Sequence, residues 1–433
     1  IKPCEDRKKT MRSTLRPFLL AACVAVFAPM ALAQPAASAD TQELTPEVKQ
    51  QLIDRVTKVI SENAYVPGVD FSKWADFMGK QQEAIDKAKT PVELTNALNR
   101  AMREFGFSHI VLSSPEATKM MRERKMVGLG VRIAVIEEGI RIEYVFPKGG
   151  ADEAGIQVND VIIEANGKKP EGREAFAGDE GTKLKVKVKK PNGAIKDLEV
   201  TRKAFSTVMP ETLTWPEKDV AVLTVPDFMT YDMQRVDRLI EEANKKAKMM
   251  IVDLRSNGGG AVLNLLHLCG RILPPNAEIG TFINRRTVRN YVEQTKGKET
   301  DLVEIAKWSK DKLRGMRGAS SPTFNGSVTV LINGGTGSAS EMMAAAIREI
   351  RGGAVIGTQS AGAVLASFMM PMPGGFTLQY PFQDYVTIKG LRLEGNGVKP
   401  DIVAPMPGPN EADKAVAAAV KWFRDQQATQ AKK

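Results

Sequence analysis

Two glycine-rich turns hold the residues of this 433-residue chain that are best placed to do chemistry. The first reads Asp253-Leu254-Arg255-Ser256-Asn257-Gly258-Gly259-Gly260, between an expected strand, Met249–Leu254, and an expected helix, Ala261–Ile272. Successive glycines there leave backbone N–H groups free at a helix N-terminus, which suits a phosphate or an oxyanion. Neither G-x-x-x-x-G-K-S/T nor a complete G-x-G-x-x-G is present, so the nucleotide reading lacks its motif. The second turn, Asn333-Gly334-Gly335-Thr336-Gly337-Ser338-Ala339-Ser340-Glu341, presents a serine after the expected strand Val328–Ile332. It resembles a nucleophile elbow in placement, although G-x-S-x-G itself is missing. Two N–H-rich turns and a presented serine are the parts of an acyl-transfer site. The plainer alternative makes both serines helix N-caps; it is adopted for Ser340 and stands open beside the nucleophile reading for Ser338.

Candidate bases are scarce, because the chain has two histidines, His109 and His267. His267 lies in the apolar run Leu263-Asn264-Leu265-Leu266-His267-Leu268 and reads as a packing residue, with Cys269 a small buried hydrophobe on the same helix. Three cysteines without a C-x-x-C pair support neither a disulfide framework nor a zinc or redox site, and no motif for a metal or an organic cofactor occurs.

The charge of +10 is a weak pointer to nucleic acid, and none is expected as a partner. Met11–Ala33 has two arginines, an apolar stretch from Pro17 to Phe27 and Ala31-Leu32-Ala33 before Gln34, the form of a secretory signal peptide. Six basic and two acidic side chains fall within residues 1–33, so the remainder carries +6. A periplasmic or secreted location is expected. Membrane contact would require that the signal be retained or that Cys23, in the lipobox-like Leu20-Ala21-Ala22-Cys23, be lipidated.

The elements that must position these residues fall into blocks. Residues 1–33 are upstream sequence and signal, and 34–44 a linker. Residues 45–115 form an N-terminal helical region carrying Ser108-His109, opened by Thr45 as N-cap with Pro46 behind it and including a helical stretch from Pro91 to Phe105. Residues 116–204 are β-rich with one short helix, Gly150 to Gly155. Strands and helices then alternate over 205–410, which predicts an α/β domain with a mixed, largely parallel sheet and flanking helices. Residues 411–433 form a C-terminal helix and tail.

Val127-Gly128-Leu129-Gly130-Val131, followed by Gly150-Ala151-Asp152-Glu153-Ala154-Gly155-Ile156 and Asn159-Asp160-Val161-Ile162, resembles a PDZ domain. The resemblance implies that Gly128, Leu129, Gly130 and Val131 bind the carboxylate end of a peptide, which then adds a strand to the sheet edge.

The Asp-Leu-Arg-x-Asn-x-Gly-Gly and Gly-x-Ser-Ala-Ser-Glu patterns, the PDZ-like module and Gly395-Asn396-Gly397-Val398-Lys399-Pro400-Asp401 together resemble the C-terminal processing (tail-specific) peptidase and tricorn superfamily over about residues 105–405. That resemblance implies a ClpP/crotonase-like core, Ser338 as nucleophile, and an oxyanion hole from the N–H groups of Ala339 and of Gly259 or Gly260. Its bacterial C-terminal processing members place a lysine base where this chain has Ala363, in Ser360-Ala361-Gly362-Ala363-Val364, and no lysine occurs between Ser338 and Lys389. The tricorn-like branch instead implies His109 as base, oriented by Glu394 and Ser108. The expected function is a secreted serine endopeptidase acting on unfolded or C-terminally exposed protein or peptide substrates. The alternative is an inactive peptide- or ligand-binding protein on the same fold. The oligomeric state is open, a homo-oligomer included.

Overall fold

The computed structural model describes residues 44–318, 320–407 and 411–430. The expected signal segment Met11–Ala33, with Cys4 and Cys23, lies outside the described residues.

The central sheet has six strands in the spatial order Ile402–Val403, Val355–Gly357, Ser327–Ile332, Met249–Asp253, Val220–Thr224 and Thr212–Glu217. All neighbours are parallel except the last pair, which is antiparallel. Side chains alternate between faces, and both faces are covered, which is why these strands read as unbroken apolar runs. Ala221, Leu223, Met250, Val252, Val330 and Ile332 pack with helices Met233–Asn244, Val262–Ile272 and Ala339–Ala346. Val220, Val222, Met249, Ile251, Leu331 and Ile356 meet Ala415, Ala419 and Phe423 of the C-terminal helix Lys414–Gln430. Each fully buried aliphatic side chain of this kind contributes about 1.5–3 kcal/mol. The mixed α/β class expected from the alternation is the one found.

A second sheet had no counterpart in the sequence reading. Its eleven-residue strand Thr377–Thr387 pairs with Val111–Ser113 and Glu278–Ile283 along its length, and with Ala366–Pro371. Pro381 and the polar Gln379, Gln383 and Asp384 break the apolar pattern that would have marked this strand. Helices Arg285–Thr295 and Leu302–Trp308 were also missed, although Asn284 and Asp301 cap them.

The N-terminal helices follow their signals. Thr45 accepts from the Val48 N–H ahead of helix Pro46–Glu62, and Thr90 and Glu93 form a capping box on helix Pro91–Arg103. This second helix stops before Phe105, whose ring packs instead with Phe71, Trp74, Phe77 and Phe107. The core of these helices is shared with Leu378 of the second sheet and with Leu365 and Phe376, which immediately precede two of its strands. The helical segment and the strands that follow Ala363 are thus one packed body.

The β-rich module is a five-stranded antiparallel sheet in chain order, Val131–Ile136, Gly139–Val145, Val161–Ala165, Lys183–Lys189 and Ile195–Thr201, plus a ribbon of Lys125–Gly128 with Lys203–Ser206. Its expected short helix is the single turn Gly150–Glu153. Among the described residues, no helix is long and apolar enough to cross a membrane.

Candidate active site

Strands Met249–Asp253 and Ser327–Ile332 are parallel neighbours with Asp253 opposite Leu331, so the glycine-rich turns that follow them emerge side by side. Hydrogen bonds lace the two turns together. Asn333 Oδ1 accepts from the N–H groups of Ser256 (2.7 Å) and Gly335 (3.0 Å), and Thr336 Oγ1 donates to the Leu254 carbonyl at 2.8 Å. Asn257 is fully buried; its Nδ2 donates to the Val225 carbonyl, its Oδ1 accepts the Gly259 N–H, and its carbonyl accepts the Gly337 N–H. A buried amide engaged at every end rigidifies the loop.

Ser338 sits at φ 54°, ψ −121°, a sharp turn immediately before helix Ala339–Ala346. A non-glycine residue in such a conformation costs on the order of 1–3 kcal/mol and persists only where its surroundings hold it. Here the Ser338 N–H is shared between the Ala363 carbonyl (2.7 Å) and Glu341 Oε2 (3.0 Å). The cap position therefore belongs to Ser338, and the expectation that Ser340 caps the helix is corrected. Ser340 lies inside the first turn, fully buried, and its hydroxyl has no hydrogen-bond partner among the described residues.

Gly259 takes φ +101°, and a Cβ there would stand 2.6 Å from Ser338 Cβ and 3.0 Å from the Ala339 nitrogen, so only glycine fits. The Gly259 N–H is committed to Asn257. Those of Gly260 and Ala339 donate to no protein acceptor among the described residues.

The second half of the site comes from the N-terminal segment. Strand Val111–Ser113 pairs with Thr377–Gln379, and the aromatic cluster holds Phe107, which together fix Ser108 and His109 between them. Glu394 is buried; its Oε1 accepts the Ser108 N–H (2.8 Å), and its Oε2 accepts the Ser108 hydroxyl (2.9 Å) and the Val364 N–H (2.8 Å). Ser108 Oγ lies 2.6 Å from His109 Nδ1. A hydroxyl has one proton, which Ser108 gives to the carboxylate, so the imidazole supplies the hydrogen at Nδ1 and keeps a lone pair at Nε2. Burial holds the His109 pKa below the ordinary histidine value, opposed in part by the Glu394 charge. No hydrogen bond joins the His109 ring to the Ser338 hydroxyl among the described residues.

Glu341 is a site residue that the sequence reading overlooked. Fully buried, it accepts from Ser360 Oγ (2.5 Å) and the Gly362 N–H on Oε1, and from the Ala363 and Ser338 N–H groups on Oε2. Burial raises its pKa, and the four donors work the other way. Ala363 thus takes part through its backbone alone, anchoring the Ser338 turn with its carbonyl and Glu341 with its N–H.

His267 is more than a packing residue. Its Nδ1 meets the Tyr231 hydroxyl at 2.9 Å, and its Nε2 accepts from Arg271, which is also paired with Asp237. Burial first and then the Arg271 charge lower its pKa. Cys269 is fully buried, as expected. In the β-rich module, Gly128 closes the ribbon strand, Leu129 is buried with its carbonyl accepting from Ala151, Gly130 takes φ +77°, and Val131 opens an edge strand. No group of histidine, cysteine and acidic side chains able to hold a metal ion is found among the described residues.

Residues 219–404 match Peptidase family S41, and residues 117–187 match the PDZ domain. The chain is 28% identical over 291 residues to the carboxy-terminal processing protease CtpA of Bacillus subtilis, covering 65% of this chain and 56% of that protein. It is 23% identical over 322 residues to a CtpA-like serine protease of Staphylococcus aureus, covering 72% and 60%. The match therefore spans between about half and three-fifths of these relatives' own lengths. In fold it is similar to the photosystem II D1 C-terminal processing protease, with a TM-score of 0.51 and 18% identity over 87% of this chain and 97% of that one. It is likewise similar to mature CPAF complexed with lactacystin, at 0.54 and 12% over 88% and 98%. The chain thus carries a segment that matches Peptidase family S41 and, ahead of it, one that matches the PDZ domain, the two resemblances its motifs had implied.

Proposed function

We propose that the protein is a serine endopeptidase of Ser-His-Glu type, cleaving unfolded or C-terminally exposed protein segments through an acyl-enzyme. Ser338 attacks the carbonyl, His109 Nε2 takes its proton and returns it to the leaving amine, and Glu394 acting through Ser108 holds the imidazole and stabilises its charged form. The oxyanion rests on the N–H groups of Ala339 and Gly260, since that of Gly259 already serves Asn257. The observation that carries this reading is the hydrogen-bonded run Glu394, Ser108, His109, an arrangement that a purely structural histidine does not need. With Ala363 where a lysine would stand, a serine–lysine pair has no partner there. The PDZ domain, with its Gly128–Val131 loop, is assigned to the C-terminal ends of substrates, and Met11–Ala33 to export.

A fluorophosphonate probe and an unstructured protein substrate test the reading together. The wild type is expected to be labelled at Ser338 and to digest the substrate, and both should vanish in Ser338→Ala with folding retained. An unlabelled, inert wild type would instead mark a non-catalytic binding protein on this fold.

A further inference from the structure

The helix that begins after Ser338 ends at a cavity that the mechanism does not use. Beyond Ala346 its backbone widens into one π-turn, Ile347–Arg351, in which the Gly352 N–H reaches back to the Ile347 carbonyl and Gly352 turns left-handed at φ 67°. Turns of this kind are rare in helices and recur at functional sites. Arg351, the last residue of the turn, lines the cavity together with Asn325, Gly326 and the start of strand Ser327–Ile332, and with Trp422 and Gln426 of the C-terminal helix. The volume is about 300 Å³, room for about ten waters at roughly 30 Å³ each. Strand Ser327–Ile332 runs from this cavity toward the Ser338 turn, so the two places lie at opposite ends of the sheet. The lining is rich in donors. The half-buried Arg351 guanidinium gives an N–H to the Gly326 carbonyl, and among the described residues it has no other hydrogen-bond partner and no carboxylate partner. Burial lowers its pKa with no acidic side chain opposing. The side chains of Asn325, Trp422 and Gln426 have no hydrogen-bond partner among the described residues either. A cation partly removed from water and three side chains able to donate, lining one cavity that has no acidic residue, suit an anion.

We propose that this cavity binds a small ionised carboxylic acid, with its carboxylate on Arg351 and the Asn325 and Gln426 amides and a short apolar body against the Trp422 ring. One guanidinium matches one negative charge, which favours a carboxylate over a phosphate dianion, and the free edge of a guanidinium pairs with two coplanar oxygens. The volume exceeds what a carboxylate group alone fills, and the indole gives the remainder of the molecule an apolar surface. The site uses none of the proposed catalytic residues, so it stands whether or not the peptidase reading does.

The test titrates the full chain with phenylacetate and, in parallel, with phenylacetamide and inorganic phosphate, following tryptophan fluorescence and Tm. Phenylacetate is expected to change the fluorescence saturably and to raise Tm, because a ligand of the folded state stabilises it. The amide and phosphate should act at least about tenfold more weakly. Arg351→Gln should raise the apparent Kd for phenylacetate at least about tenfold, and Trp422→Phe should remove the fluorescence change while the Tm rise persists. If Arg351→Gln does not fold, Gln426→Glu decides. A carboxylate placed in the cavity pairs with Arg351, so this variant should melt above the wild type and bind phenylacetate at least about tenfold more weakly. A wild type without saturable response, an equal response to the amide or to phosphate, or undiminished binding in Arg351→Gln or Gln426→Glu overturns the assignment.

Discussion

Glu394 holds Ser108 at two points, taking its backbone N–H on one carboxylate oxygen at 2.8 Å and its hydroxyl on the other at 2.9 Å. The second oxygen also accepts from Val364, so a glutamine here would turn an amide NH2 group against a donor. Glu394→Gln should therefore lower kcat about 100-fold and also reduce stability by about 1–3 kcal/mol. Ser108→Ala, which breaks the link to the imidazole but leaves the carboxylate its backbone donors, should lower kcat with a smaller change in the unfolding midpoint. Paired kcat and urea-unfolding measurements check both; a Ser108→Ala protein with full kcat would remove Ser108 from the relay.

The second expectation concerns pH. In the proposed mechanism His109 must be neutral to accept a proton, and burial sets its pKa below the ordinary value of about 6.5. Activity should hold through neutral pH and fall only as pH drops through that depressed value. The sign for stability is the same: a histidine whose folded pKa lies below its unfolded one stabilises the fold above the unfolded value, and this is lost as pH falls through the folded one. A kcat/KM profile whose acidic limb lies above the ordinary histidine range would contradict the assignment. His109→Ala should match Ser338→Ala in severity, since members of one proton-transfer unit are not additive.

Gly259→Ala is expected to separate activity from folding. The added methyl meets Ser338 Cβ at 2.6 Å and forces a left-handed backbone on alanine. Turnover should fall by at least about 100-fold, because a misplacement near 1 Å is enough for such a loss. Circular dichroism should show native secondary structure while probe labelling of Ser338 slows in step with turnover; labelling at the wild-type rate would refute the close approach.

Glu341→Gln tests the buried carboxylate behind Ser338. A single amide oxygen cannot replace two carboxylate oxygens that serve four donors, so at least one N–H or O–H is left buried without a partner. A loss of about 1–3 kcal/mol in unfolding free energy is expected, together with slower labelling of Ser338, whose turn Glu341 holds. Unchanged stability would mean that the four contacts contribute nothing net.

What the sequence disclosed and what it hid divide along the range of the interactions. Glycine spacing is a local signal, so the turns at Gly258–Gly260 and Gly334–Ser338 were legible, as was the alternation that builds the parallel sheet. The cap was misplaced to Ser340 because the turn at Ser338 is strained, a state that single-residue preferences do not foresee. Glu341 could have been found, since Ser338 and Glu341 have the S-x-x-E spacing of a capping box. Strand Thr377–Thr387 could not, because its proline and polar residues are tolerated only through pairing with segments remote in sequence, such as Val111–Ser113 and Glu278–Ile283. The polar partners of His267 were hidden for the same reason, as Tyr231 and Asp237 reach it from another helix and loop.

Leu112 lies opposite Leu378, and on that pairing the delivery of the imidazole depends. Ribosomal synthesis makes the histidine early and the strand that seats it late. A chain that has not yet folded lacks the Glu394–Ser108–His109 run even where it already contains those residues. On the proposed mechanism the relay therefore comes into being only when the last strands close over the first.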